Sequence, residues 1–266
     1  MPLTKEEYQR IYSLVDAQED LEVYAGKMRL PRGVLEAVLT LKIIRRVKGS
    51  YHHLEKRSGE LLQMWESGRS IADIARAVGF PPVLVARFLL SAMGFSRRKV
   101  KKLALGLESS GNPRLDAELL EAQRADFVFS REAHEKQRLR GMLGEEITRE
   151  WLESKGAVFT SEDCMDRSHK TPDFLVSGLR VLGMPVAWVE SKAVFADEEE
   201  HRLYMKKQLT HYLRCFGPGV VVYWYGYVDS LLGRSSELII LDYTFFSHPR
   251  IEVLLNGSIK GAEDGR

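Results

Sequence analysis

The segment Val186-Ala-Trp-Val-Glu-Ser-Lys192 places a glutamate and a lysine inside an otherwise apolar run. Side chains alternate faces along a strand, so Glu190 and Lys192 project to the same side. Burying either charge alone is costly, and pairing or a bound cation offsets that cost. Upstream, in Lys170-Thr-Pro-Asp-Phe174, Asp173 opens a second extended segment. Antiparallel pairing of the two segments brings Asp173 next to Glu190. Neighbouring carboxylates repel unless a divalent cation lies between them, and hard oxygen donors suit Mg²⁺. Lys192 is then placed to neutralise developing negative charge or to position a water.

Several elements must hold these residues. A long helix is expected over about 132–154, ending at Gly156, a good C-cap residue. Extended segments are expected at 157–160, 173–176 and 186–192, the last two joined by a Gly-bearing connection. A helix follows over about 198–214, and two β-prone runs, 220–228 and 238–243, complete a mixed α/β region. The acidic run 197–200 reads as the N-terminal cap of the 198–214 helix.

Asp173, sixteen intervening residues and Glu-Ser-Lys form the pattern of the PD-(D/E)xK nuclease superfamily, which the chain resembles. In that superfamily the preceding helix adds an acid. Here it carries Gly141-Met-Leu-Gly-Glu-Glu146, and Glu145 is the choice because it shares a helix face with Thr148 and Leu152; Glu146 is the alternative. Gln208-Leu-Thr-His-Tyr212 is similar to the QxxxY element of RecB-like members, where both residues order the site and contact nucleic acid. A narrower resemblance rests on KTPDF (170–174), WVESKAVFADE (188–198) and FGPGVVVYWYGYV (216–228). These strings resemble the TPD-motif nucleases, a family with archaeal members and a eukaryotic codanin-interacting nuclease.

The resemblance implies Glu145, Asp173, Glu190 and Lys192 as catalytic residues with Gln208 in support. It implies a metal set of Glu145, Asp173, Glu190 and Ser191, and Mg²⁺ as cofactor, with Mn²⁺ as a substitute. The implied activity is phosphodiester hydrolysis in nucleic acid, read here as DNA. The alternative is a nucleic-acid-binding or adaptor protein that keeps the fold and works through partners. A codanin-like protein partner is implied if the chain is eukaryotic. The implied location is then nucleus and cytoplasm, or cytoplasm if the chain is archaeal.

The first hundred residues read as helical, with an internal repeat. A shift of fifty residues superimposes Leu21 on Ile71, Ala25 on Ala75, Pro31 on Pro81 and Leu39 on Leu89. Each copy reads as a helix, a tight turn and a helix starting at or just after a proline. In the second copy, Ala75 and Gly79 suit a helix-turn-helix, whose helix after Pro82 would enter a DNA groove with Arg87 facing it. The following run, with Arg97, Arg98, Lys99, Lys101 and Lys102, would contact phosphates. Tyr212 is the expected nucleic-acid contact in the second half.

Charge partition agrees with this division. Residues 1–105 carry 19 Lys+Arg and 11 Asp+Glu, net +8, and the remainder carries 20 and 26, net −6. A basic half joined to an acidic half suits a nucleic-acid grip coupled to a carboxylate site. The Gly/Ser/Asn/Pro cluster 106–114 is the expected linker. The fold class is therefore α/β: a helical region over 1–110 with tandem helix-turn-helix units, then a restriction-endonuclease-like mixed-sheet domain over 111–266. Cys164 and Cys215 alone make no disulfide framework or zinc site, which points to a reducing, intracellular compartment. His52 and His53 sit among Lys and Arg, which does not suit zinc. His169 and His211 lie within sequence reach of the carboxylates. No apolar run approaches the roughly 20 residues of a membrane span, so no membrane partner is expected. Tyr223, Trp224, Tyr225 and Tyr227 could stack on bases, but their alternation more often means core packing.

Overall fold

A computed structural model of the chain describes residues 2–166 and 170–256. His169, one of the histidines considered above, lies outside them. The chain divides into two compact units: Met1–Leu41 with Arg138–Arg266, and Lys42–Gln137. The 106–114 cluster lies inside the second unit.

In the first unit, α1 (Lys5–Leu14) starts with a capping box: Thr4 Oγ1 accepts from the Glu7 N–H, and the Glu7 carboxylate accepts from the Thr4 N–H. α2 (Glu19–Met28) ends at Arg29 in a left-handed conformation, and α3 (Arg32–Lys56) begins just after Pro31. α9 (Arg131–Ser154) buries Gly144, Ile147, Thr148 and Leu152 along one stripe. The sheet has five strands in sequence order: β1 (Val158–Ser161), β2 (Phe174–Val181), β3 (Met184–Lys192), β4 (Gly219–Tyr223) and β5 (Leu238–Asp242). β2 pairs antiparallel with both β1 and β3, whereas β3, β4 and β5 are parallel.

The parallel step from β3 to β4 needs a crossover. α10 (Glu198–Tyr204), a π-helical turn (Met205–Leu209) and α11 (Thr210–Phe216) supply it. The single helix expected over 198–214 is thus interrupted by a widened turn. Asp197 caps α10, accepting from the Glu199 and Glu200 N–H groups. The β-prone run 220–228 is also split, because the strand stops at Tyr223 and the chain turns at Trp224–Gly226. The run resumes as single bridges: Tyr227 pairs with Ala196, and Val228 with Leu3. α12 (Ile251–Asn256) buries Leu254 and Leu255.

The second unit contains α4 (Ser58–Glu66), α5 (Ile71–Val78), α6 (Pro82–Ala92), α7 (Arg97–Ala104) and α8 (Pro113–Ala125). α5 and α6 meet at 111° about Gly79, which is left-handed. The helix expected to enter a groove lies at the centre of this unit. α6 packs against α4, α5, α7 and α8 and buries Val83–Ala86 and Phe88–Leu90, leaving Arg87 exposed. Its apolar content on all sides marks a core helix. Asp126 Oδ2 accepts from the Val83 N–H and so satisfies the start of α6. Glu118 Oε2 accepts from the Ile71 N–H and from Trp65 Nε1. Among the described residues, no single helix is long and apolar enough to cross a membrane.

Candidate active site

Asp173 and Glu190 meet through backbone and side chain together. The Asp173 N–H donates to Glu190 Oε2 at 3.1 Å, and the Ser191 N–H donates to Asp173 Oδ2 at 2.6 Å. The register that allows this pairs Phe174 with Val189 across β2 and β3. Lys192 Nζ donates to Glu190 Oε1, and the two side chains are 18% and 2% exposed. Asp173, Glu190 and Lys192 therefore converge as the strand alternation requires.

Alternation also divides the two faces of β3. Trp188, Glu190 and Lys192 face the crossover: Trp188 packs edge-on against Tyr212, and Lys192 Nζ lies 5.5 Å from the centre of the Tyr204 ring. Ser191 points the other way, toward α9, where its Oγ accepts from Trp224 Nε1 at 2.8 Å. Its hydroxyl is thus committed away from the carboxylates, because odd positions of β3 leave the site face.

Gly144 sets how close α9 comes to the sheet. A Cβ there would lie 2.5 Å from Trp224 Nε1 and 3.1 Å from Ser191 Oγ. This close approach brings the next residue, Glu145, under the influence of Asp173. Glu146 points elsewhere, pairing with Arg250 Nη1 at 2.6 Å. Gly219 plays a similar part behind the site, since a Cβ there would fall 2.0 Å from the Trp188 ring. The indole donates to the Gly217 carbonyl at 2.8 Å, which accounts for the Gly-Pro-Gly spacing.

The site holds more negative charge than it neutralises. Burial, then the Asp173 charge, pushes Glu190 up to about 7, against the opposing pull of Lys192. Partial desolvation, then the charges of Asp173 and Glu162, raise Glu145 to about 7 as well, although Glu145 keeps an exposed flank. Burial also raises Asp173, with Lys192 and the Ser191 N–H opposing. Among the described residues, no three His, Cys, Asp or Glu side chains are already gathered as ligands to one ion. The facing carboxylates are the Asp173–Glu190 pair, with Glu145 and Glu162 in electrostatic reach.

Two contributors were not legible in the sequence. Glu162 follows β1, and its N–H donates to the Asp173 carbonyl, which places its charge beside the pair. Tyr204 covers Lys192 from the crossover. A carboxylate directly after a strand that pairs with β2, and an aromatic four residues before Gln208, are the signals that could have found them.

The remaining expected residues are dispersed. Gln208 lies half-buried in the π-helical turn. Tyr212 is 1% exposed and donates its hydroxyl to the Thr171 carbonyl at 2.7 Å, which ties it to the loop before Asp173. Arg87, Arg97, Arg98, Lys99 and Lys101 are exposed in the second unit. There Lys99 lies over the Phe95 ring and Lys102 pairs with Glu108. Tyr223, Trp224, Tyr225 and Tyr227 are all buried, as core packing requires.

The family model described as a protein of unknown function with a TPD sequence motif matches residues 111–244, half of the chain. The chain is 37% identical over 108 residues to CDAN1-interacting nuclease 1 of Mus musculus, covering 40% of this chain and 38% of that protein. It is 40% identical over 104 residues to the Homo sapiens protein of that name, covering 38% and 37%. With the Gallus gallus protein it shares 46% over 77 residues, covering 29% and 28%. The matched segment is thus less than two fifths of these relatives' own length. No solved structure matches the chain. The Thr171-Pro172-Asp173 string that gives the family its motif supplies one of the paired carboxylates, and the chain belongs to the TPD sequence-motif family.

Proposed function

We propose that this protein is a divalent-cation-dependent nuclease of the PD-(D/E)xK type that hydrolyses phosphodiester bonds in DNA. The observation that carries the reading is the interlocked Asp173–Glu190 pair with Lys192 on one of its oxygens. The order of helix, antiparallel strands, crossover helix and parallel strand agrees with that superfamily. The relatives' name, which contains the word nuclease, supports the same reading.

The donor set fits Mg²⁺ or Mn²⁺. All donors are hard oxygens, and carboxylates pushed toward neutrality hold charge that a cation would relieve. Asp173 and Glu190 would hold the ion, with Glu145 beside them. Bound there, it would polarise the phosphate and lower the pKa of a water. Lys192 offers its ammonium to negative charge developing on the phosphate, and the Tyr204 ring keeps that ammonium over the carboxylates. Tyr212 holds the Thr171 carbonyl and so fixes the backbone that presents Asp173. The relatives are named for interacting with CDAN1, which supports a protein partner of that kind for this chain too.

The test is incubation of purified protein with Mg²⁺ or Mn²⁺ and duplex, single-stranded, flap and junction DNA. Cleavage that disappears with a chelator and with Asp173→Asn is expected. Absence of cutting on every substrate, or equal cutting by Asp173→Asn, would overturn the proposal.

A further inference from the structure

The crossover helix has two unlike flanks. Its inner flank carries His201, Leu209 and Tyr212, all buried, and Tyr204, which covers Lys192. The π-helical turn, with its i→i+5 spacing, places Leu209 on the same flank as Tyr204 and keeps this flank continuous. The outer flank carries Arg202, Lys206, Lys207 and Arg214, all exposed. From Arg202 to Phe216 the helix has no Asp or Glu. Lys170, also exposed, donates to the Lys207 carbonyl at 2.8 Å, so a fifth cation joins this row from the loop that leads to Asp173.

We infer that this row of Lys170, Arg202, Lys206, Lys207 and Arg214 is a phosphate track that holds a nucleic-acid strand beside the carboxylate pair. This rests on the nuclease reading, and it gives that site a substrate-binding surface within its own unit. From Arg202 to Arg214 the helix rises about 18 Å, the axial span of roughly five phosphates of one strand. A linear row of exposed cations matches the regular charge of a phosphodiester backbone, whereas an acidic protein presents charge in patches. The row adjoins the site on two sides, through Lys170 before Asp173 and through Tyr204 over Lys192.

The experiment measures binding of the full chain to labelled single-stranded and duplex DNA, in chelator, across a series of salt concentrations. The variants are Lys206→Gln, Lys207→Gln, their double and the Lys→Arg double, with thermal melts confirming that each is folded. Each lost phosphate contact removes about 0.7 from the salt slope on single strands, or about fourfold in affinity at 0.15 M salt. The Gln double should therefore bind roughly fifteenfold more weakly, with a shallower slope, and the Arg double should bind like the parent. An unchanged affinity and slope in the Gln double overturns the track. So does preferential binding of polyglutamate over DNA that is lost in the same variant. Cleavage is scored separately. A parent that cuts while the Gln double binds normally refutes the track and leaves the nuclease reading standing. A parent that binds through these lysines but never cuts refutes the nuclease reading and leaves the track.

Discussion

Replacing Gly144 by alanine should separate the acid on α9 from the carboxylate pair without touching any charged group. The new methyl would start 2.5 Å from Trp224 Nε1, 2.7 Å from Trp224 Cδ1 and 3.1 Å from Ser191 Oγ. Carbon contacts settle at about 3.5 Å, so roughly 1 Å must be found. The indole has little freedom to supply it. It is fully buried, lies 4.7 Å from the Phe246 ring and donates to Ser191 Oγ. The helix must rise, or the indole must give up its hydrogen bond. Overpacking of this kind costs about 1–3 kcal/mol, which for a chain of this size lowers the melting temperature by roughly 2–12 °C. A displacement of about 1 Å at Glu145 costs on the order of a hundredfold in rate. The assays are a thermal melt and initial rates of Mn²⁺-supported cleavage, with Trp224→Phe added to Gly144→Ala as a partial rescue. A Gly144→Ala protein that melts within about 1 °C of the parent and cuts within twofold of it would refute the close-approach reasoning.

Glu190 binds its proton more tightly folded than unfolded, so metal-free stability should be highest below about pH 4.5 and fall as pH rises toward 7. The loss is up to about 3 kcal/mol. Melts in chelator at pH 5 and pH 8 should show a steeper drop for the parent than for Glu190→Gln; parallel drops would contradict the raised carboxyl. Arg140 Nη1 lies 2.7 Å from Glu36 Oε1, and the two side chains are 10% and 12% exposed. Arg140→Ala should therefore cost about 1–3 kcal/mol by leaving Glu36 Oε1 buried without its partner while Oε2 keeps Arg32 Nη1 at 2.6 Å, and denaturant unfolding will measure it. A joint replacement of Arg140 and Glu36 by Met and Leu should recover most of that loss. Tyr204→Ala should slow cleavage by about 2- to 30-fold, the value of a cation–π contact of roughly 0.5–2 kcal/mol on Lys192, whereas Tyr204→Phe should stay near the parent. Equal slowing by both variants would assign the effect to the hydroxyl instead.

The Asp173–Glu190–Lys192 convergence was legible because it depends only on two-residue alternation and on a short antiparallel connection. The same alternation, applied to Ser191, would have turned its hydroxyl away from the carboxylates. Glu145 could be preferred over Glu146 from helix phase, but the reason it reaches the site could not. That reason is Gly144 against Trp224, eighty residues away in sequence. Glu162 was missed because a backbone bond to Asp173 sets its place, and its position directly after β1 is the one sequence signal of it. In the helical unit, the repeat gave the helices and their turn correctly. It could not show that α6 is enclosed, because an apolar helix reads alike whether it is a core or the second helix of a DNA reader. For Tyr212, likewise, a QxxxY spacing fixes the helix face but not whether a hydroxyl on it meets solvent or the Thr171 carbonyl.

The bridge between Leu3 and Val228 has a consequence for how the molecule is made. The Leu3 N–H donates to the Tyr227 carbonyl, and the Asp229 N–H donates to the Leu3 carbonyl. The segment that carries α1 and α2 belongs to the same unit as α9 and the sheet, with residues 42–137 lying between them in sequence. During synthesis, at roughly 5–20 residues per second, that opening segment must wait on the order of ten seconds or more for its strand partner to emerge. Lys42–Gln137 can close into its own core first, from contacts near in sequence. Residues 111–244, which carry the family motif, contain neither the opening segment nor α12. The stretch that identifies the protein is therefore shorter than the stretch that must come together on leaving the ribosome, and truncations designed on the motif alone should yield chains that stay unfinished.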